Sequence, residues 1–91
     1  MATLDERKAF RTTVLKVLYE DVAGNRPVVT GASLRDRLSV PEGDLSAACT
    51  YLAGEGLIAV DWTSHGTPAA ISLTHEGIRF MEEVEAMEQR R

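Results

Sequence analysis

Residues 39–62 read SVPEGDLSAACTYLAGEGLIAVDW, and their reading decides the fold. The spacing predicts one helix, a glycine stop and a strand. Ser39 with Glu42 three residues on has the form of a capping box, and Pro41 suits a first turn whose N–H groups lack partners. Leu45, Ala48, Cys49 and Leu52 recur at helical spacing and define a narrow apolar stripe. Gly54 and Gly56 weaken the helix end, and Gly56 is placed to take the left-handed turn that closes it. Residues 57–62 carry the apolar and aromatic content of a strand. A short helix with so thin a stripe is not stable alone, so its neighbours must complete the core.

Upstream, Thr3 and Glu6 form a second capping box and start a helix at Leu4 or Asp5. Phe10, Val14, Val17, Leu18 and Val22 keep the i, i+3, i+4 rhythm, with Leu15 and Tyr19 widening the face. Gly24-Asn25-Arg26-Pro27 ends that helix. Val28-Val29 is a brief extended piece. Thr30 is a plausible N-cap of a second helix through Leu38, with Leu34 and Leu38 inward and Arg35, Asp36 and Arg37 outward, and Ser33 with Asp36 offers a competing start three residues later. Only Ser39-Val40-Pro41 separates this helix from the next, a connection of helix-turn-helix length.

Downstream, residues 63–68 are turn formers with Gly66 near the tip, and residues 69–73 resume an extended pattern, so the pair reads as a β-hairpin. Thr74 caps a last helix from His75. Gly77, Phe80, Met81, Val84 and Met87 line one side of it, and Glu82, Glu83, Glu85 and Glu88 the other.

Ninety-one residues suffice for one modest core, so residues 1–91 are expected to form a single domain. One cysteine excludes an internal disulfide, and Cys49 on an apolar face reads as a small buried hydrophobe. The amino terminus lacks the apolar core of a signal peptide, and no apolar run reaches the length of a membrane span. A cytoplasmic location with no membrane partner is expected. A net charge of -4 argues against strong nonspecific polyanion binding.

The predicted order is helix, short strand, helix, tight turn, helix, two-stranded hairpin, helix: an α+β, mostly helical chain. With Asp44-Leu45-Ser46, Tyr51-Leu52, Glu55-Gly56-Leu57-Ile58 and Leu73-Thr74-x-x-Gly77, the chain resembles bacterial winged helix-turn-helix domains of the transcription-regulator type. The resemblance implies three core helices, a two-stranded wing hairpin and a carboxy-terminal helix. It also implies a small DNA-binding regulator of transcription that acts as a homodimer on double-stranded DNA. Carried over by position, the groove-facing residues are Gly43, Ser46, Ala47, Thr50 and Tyr51. The wing tip is Ser64, His65 and Gly66, and Arg26, Arg35 and Arg37 reach phosphates. The resemblance also implies a two-fold contact through the first and last helices, at Phe10, Phe80, Val84 and Met87; packing within one chain, or fraying of the last helix, is the other reading of those apolar side chains.

In one respect the sequence departs from that pattern. Residues 39–73 contain no Lys or Arg, while the third helix carries Glu42, Asp44 and Glu55. Cations supply most nonspecific DNA affinity, and arginine most often reads guanine. Arg7, Lys8 and Arg11 have two readings, a DNA-facing patch and a solvated helix face paired with nearby acids, and the second is favoured. A winged-helix module adapted to protein–protein contact, with the acidic third helix and the last helix as its faces, is therefore the second reading. Cys49, His65 and His75 lack metal-ligand spacing, and no cofactor is implied. Asp61, Ser64 and His65 are sequence neighbours, which does not create triad geometry. No phosphate loop or nucleophile elbow is present, so no enzyme activity is expected.

Overall fold

In a computed structural model, residues 3–90 are described. Helix α1 spans Leu4–Ala23, and the Thr3 side chain accepts a hydrogen bond from the Glu6 amide. The Glu6 carboxylate takes its own bond from the Thr3 hydroxyl, at 3.1 Å. Val14, Leu15 and Leu18 are buried, and Phe10, Val17 and Tyr19 pack against the core from its margin. The helix closes at Gly24, but the left-handed residue is Asn25, at φ 65°. Asparagine tolerates that conformation better than most side chains.

Strand β1 (Val29–Thr30) leads straight into α2 (Gly31–Leu38), whose first turn Thr30 caps by accepting from the Ser33 amide. Gly31 lies so close to the Pro68 backbone that a Cβ would collide with the Pro68 carbonyl. Helix α3 covers Glu42–Gly54 and buries Leu45, Ala48, Cys49 and Leu52, the stripe expected from spacing. Gly56 takes the left-handed turn at φ 79°.

Strands β2 (Ile58–Trp62) and β3 (Pro68–Leu73) form the hairpin, with Val60 opposite Ile71 and an irregularity between Asp61 and Trp62. The short β1 adds to the free side of β3, Val29 opposite Ile71, giving an antiparallel sheet of order β1-β3-β2. Ile71 is thus central and fully buried. Helix α4 (His75–Gln89) starts at the Thr74 cap and buries Gly77 and Met81. Leu34, Leu45, Leu52, Ile58, Ile71 and Met81 complete one core with the α1 residues.

The expected capping box at Ser39 does not form. Ser39 is the left-handed residue that ends α2, at φ 53° and ψ 48°, and its amide bonds back to the Arg35 carbonyl. Pro41 is the N-cap of α3, and no side chain caps that helix. The turn is so short that one residue cannot both close α2 and cap α3, and closure wins. Glu42 turns instead to Arg35, at 2.8 Å across the turn.

Candidate nucleic-acid interface

Three elements define the face that the fold presents. The turn at Ser39–Val40 projects α3 from α2, and β2 begins four residues after α3 ends, so the hairpin stands beside it. Because one stripe of α3 is spent on the core, most of its remaining positions face water. Gly43, Ala47, Thr50 and Tyr51 are exposed, and Ser46 is half-buried. The five groove-facing positions therefore share one helix, but they are not equivalent. The Thr50 hydroxyl donates to the Ser46 carbonyl at 2.9 Å and keeps only acceptor capacity for a ligand. No Cβ contact would arise at Gly43, which makes that spot a flat, open patch.

The wing tip is built rather than loose. Thr63 Oγ1 accepts from the His65 and Thr67 amides, at 3.2 Å each, and lies 2.8 Å from Thr67 Oγ1. The Thr63 amide donates to the Thr67 carbonyl at 2.8 Å, and Gly66 adopts φ 77°. Ser64, His65 and Gly66 are all exposed on this clamp.

The cations are arranged otherwise than their sequence positions suggest. Arg37 forms a two-pronged pair with Asp21, at 2.7 and 3.0 Å, and Arg26 lies 3.8 Å from the same carboxylate. Asp21 is only 5% exposed. The Arg37 hydrogen bonds, with charge from Arg37 and Arg26, outweigh burial and hold its carboxyl below the ordinary value. Arg35 is taken up by Glu42. All three arginines expected at phosphates are thus engaged with acids of their own chain. Replacing Arg37 therefore removes a clamp between α1 and α2, and a simple surface charge change is not what results.

Arg7, Lys8 and Arg11 depart from expectation in the opposite sense. Among the described residues they form no ion pair, whereas Lys16, Arg26, Arg35, Arg37 and Arg79 do. The Arg11 guanidinium lies over the Tyr51 ring, 3.6 Å from its centroid. Arg7 and Arg11, with Phe10, Val40, Asp44 and Ala47, line a groove of about 450 Å³ between α1 and α3. Sequence spacing gave no sign of this, because it depends on how α1 lies across α3.

The apolar candidates divide between two places. Phe80 is 40% and Met87 65% exposed, with Val84 half-buried on the same side of α4. Phe10 is not with them: it lines the groove against α3, while the later half of α1 faces α4 through Lys16, Tyr19 and Ala23. Burial, then the neighbouring Glu85 and Glu82, raises the Tyr19 phenol pKa. Cys49 is fully buried, and burial pushes its thiol up to about 11, so it lacks the thiolate that redox or nucleophilic chemistry requires. Among the described residues, no cluster of three His, Cys, Asp or Glu could hold a metal ion. No described helix is long and apolar enough to cross a membrane.

Three core helices, a hairpin paired with a short leading strand, and a following helix make this a winged helix-turn-helix fold, α+β and mostly helical. A solved structure of a Lactococcus lactis ZitR mutant in apo form has the same fold, at a TM-score of 0.68 and 16% identity. The match covers 94% of this chain and 61% of that one, so the chain spans about three fifths of the length of the structure it resembles. No protein-family model matches the sequence, and no curated protein matches it significantly.

Proposed function

We propose that this chain is a non-catalytic, DNA-binding regulator of transcription that presents α3 to the major groove. The observation that supports this reading is the solvent-facing strip of α3, with Gly43, Ala47, Thr50 and Tyr51 exposed beside a clamped hairpin tip. Gly43, Ser46, Ala47, Thr50 and Tyr51 meet the groove in this reading, and Ser64, His65 and Gly66 lie along the neighbouring backbone. Arg35 and Arg26, both on the surface, contribute to phosphate binding by exchanging carboxylate partners for phosphate. Arg37 remains with Asp21. The fold shared with ZitR is consistent with the assignment. A homodimer is part of the proposal, with Phe80, Val84 and Met87 as the two-fold contact and Phe10 left to the α1–α3 groove.

A second reading has its own support. Glu42, Asp44, Glu55 and Asp61 are the charged residues of positions 39–73, and an acidic face of this kind suits a basic protein partner. Fluorescence anisotropy with mixed-sequence duplex DNA separates the two. The DNA reading expects binding at about 20 mM salt, where screening is least, that weakens steeply as salt rises. Absence of binding at that salt would leave the protein-interaction module as the function.

A further inference from the structure

The face just described has a charge deficit: positions 39–73 hold four acids and no Lys or Arg. DNA binding through that face needs cations from elsewhere in the chain. Among the described residues, the Lys and Arg side chains outside ion pairs are Arg7, Lys8, Arg11 and Arg90. Three of these four fall in the first two turns of α1, and that end of α1 borders α3.

We propose, resting on the DNA-binding reading, that the amino-terminal part of α1 is the phosphate-binding edge of the interface, with Arg7, Lys8 and Arg11 as its contacts. Arg7 and Arg11 are four residues apart and so share one side of α1, and Lys8 lies three before Arg11 on the adjoining side. Both arginines line the groove whose opposite wall is Asp44 and Ala47 of α3. Arg11 is fixed there by its stack on Tyr51, itself 46% exposed on the α3 strip. Stacking on a ring face leaves the guanidinium N–H groups free at its edges, where a phosphate is bound. The acids near these cations are Glu6 and Asp44 in the groove and Asp5, three residues before Lys8 on α1. Glu6 is occupied by the Thr3 hydroxyl and Asp44 sits in the first turn of α3, where the helix dipole offsets its charge. A helix that carries its own acids at its amino end thus borrows cations from the helix packed across it.

The test compares salt dependence among charge variants on a mixed duplex of about 20 base pairs. Arg7→Gln breaks no ion pair, so it should fold as the parent does, and it should lower the slope of log affinity against log salt by about 1. Arg7→Gln with Arg11→Gln should lower it by about 2 and reduce affinity at least about tenfold at low salt. Arg7→Lys, which leaves the Arg11–Tyr51 stack in place, should keep affinity within about threefold, because the charge remains. Lys16→Gln is the control: Lys16 lies on the other side of α1 with Glu88, and its loss should leave the slope unchanged. If the parent binds and Arg7→Gln and the double Gln variant bind with the parent's slope and affinity, the α1 edge is refuted while the DNA reading stands. If the parent does not bind at about 20 mM salt, the DNA reading itself fails and takes this inference with it.

Discussion

Thr74 Oγ1 accepts from the Gly77 amide at 3.0 Å and donates to the Gly56 carbonyl at 2.5 Å, so one hydroxyl caps α4 and ties it to the end of the α3 turn. Gly77 is required because a Cβ there would collide with the Leu57 carbonyl, which already accepts from the Thr74 amide. Leu-Thr-x-x-Gly is therefore the device that seats α4 on the base of β2. Gly77→Ala should destabilise the fold by about 1–3 kcal/mol, the usual cost of forcing atoms into a packed site. Gly43→Ala meets open space in a helix and should stabilise by about 0.5 kcal/mol. Urea unfolding of both variants checks the pair, and equal midpoints would contradict the close approach at Gly77. Asp21 supplies a pH prediction. Its folded carboxyl sits below the ordinary value, chiefly through the Arg37 hydrogen bonds, so its contribution is full above the unfolded value of about 3.9 and is lost as pH falls through the folded one. Asp21→Asn should be less stable at pH 7 and should lose less on acidification towards about pH 2 than the parent. Parallel acid profiles would show that the clamp contributes nothing.

At the scale of elements, the α2–α3 turn and α4 carry the argument. Ser39 occupies a left-handed conformation that a side chain other than glycine or asparagine adopts at a cost. Ser39→Gly should therefore raise stability by about 0.5 kcal/mol, whereas a capping role for Ser39 would make the same change harmful. A thermal melt distinguishes the signs. Helix α4 is held to α1 by Met81 in the core and by the Lys16–Glu88 pair at 3.7 Å, a surface pair of little energetic weight. Phe80 and Met87 stay 40% and 65% exposed. Phe80→Glu with Met87→Glu should leave the fold intact and convert a dimer into a monomer in multi-angle light scattering. A parent that is already monomeric at micromolar concentration would remove the two-fold contact from the proposal.

Across the whole molecule, the legible and the illegible separate along one line. Helix and strand order, the buried stripe of α3, the Thr30 and Thr74 caps and the left-handed Gly56 all follow from spacing within about four residues, and the sequence carries such local physics openly. Ser39 departs from its capping-box pattern because two helix ends compete for a single residue, and only the packed turn settles which end it serves. The wing tip is legible as a turn; the Thr63 clamp is equally local, but turn-forming residue types do not specify which hydroxyl accepts from the His65 and Thr67 amides.

Charge behaved differently from pattern. The order of elements, the place of Cys49 on an apolar stripe and the lack of cations in residues 39–73 can be read from residue type and short spacing alone. Which cations are committed to acids and which are not depends on how the elements pack. Asp21 and Arg37 are sixteen residues apart and Arg11 and Tyr51 forty, and nothing local couples them. Ion pairs and stacked rings form between side chains that chain folding brings within a few ångströms, and Coulomb attraction in water is too weak at longer range to leave a trace in the order of residues.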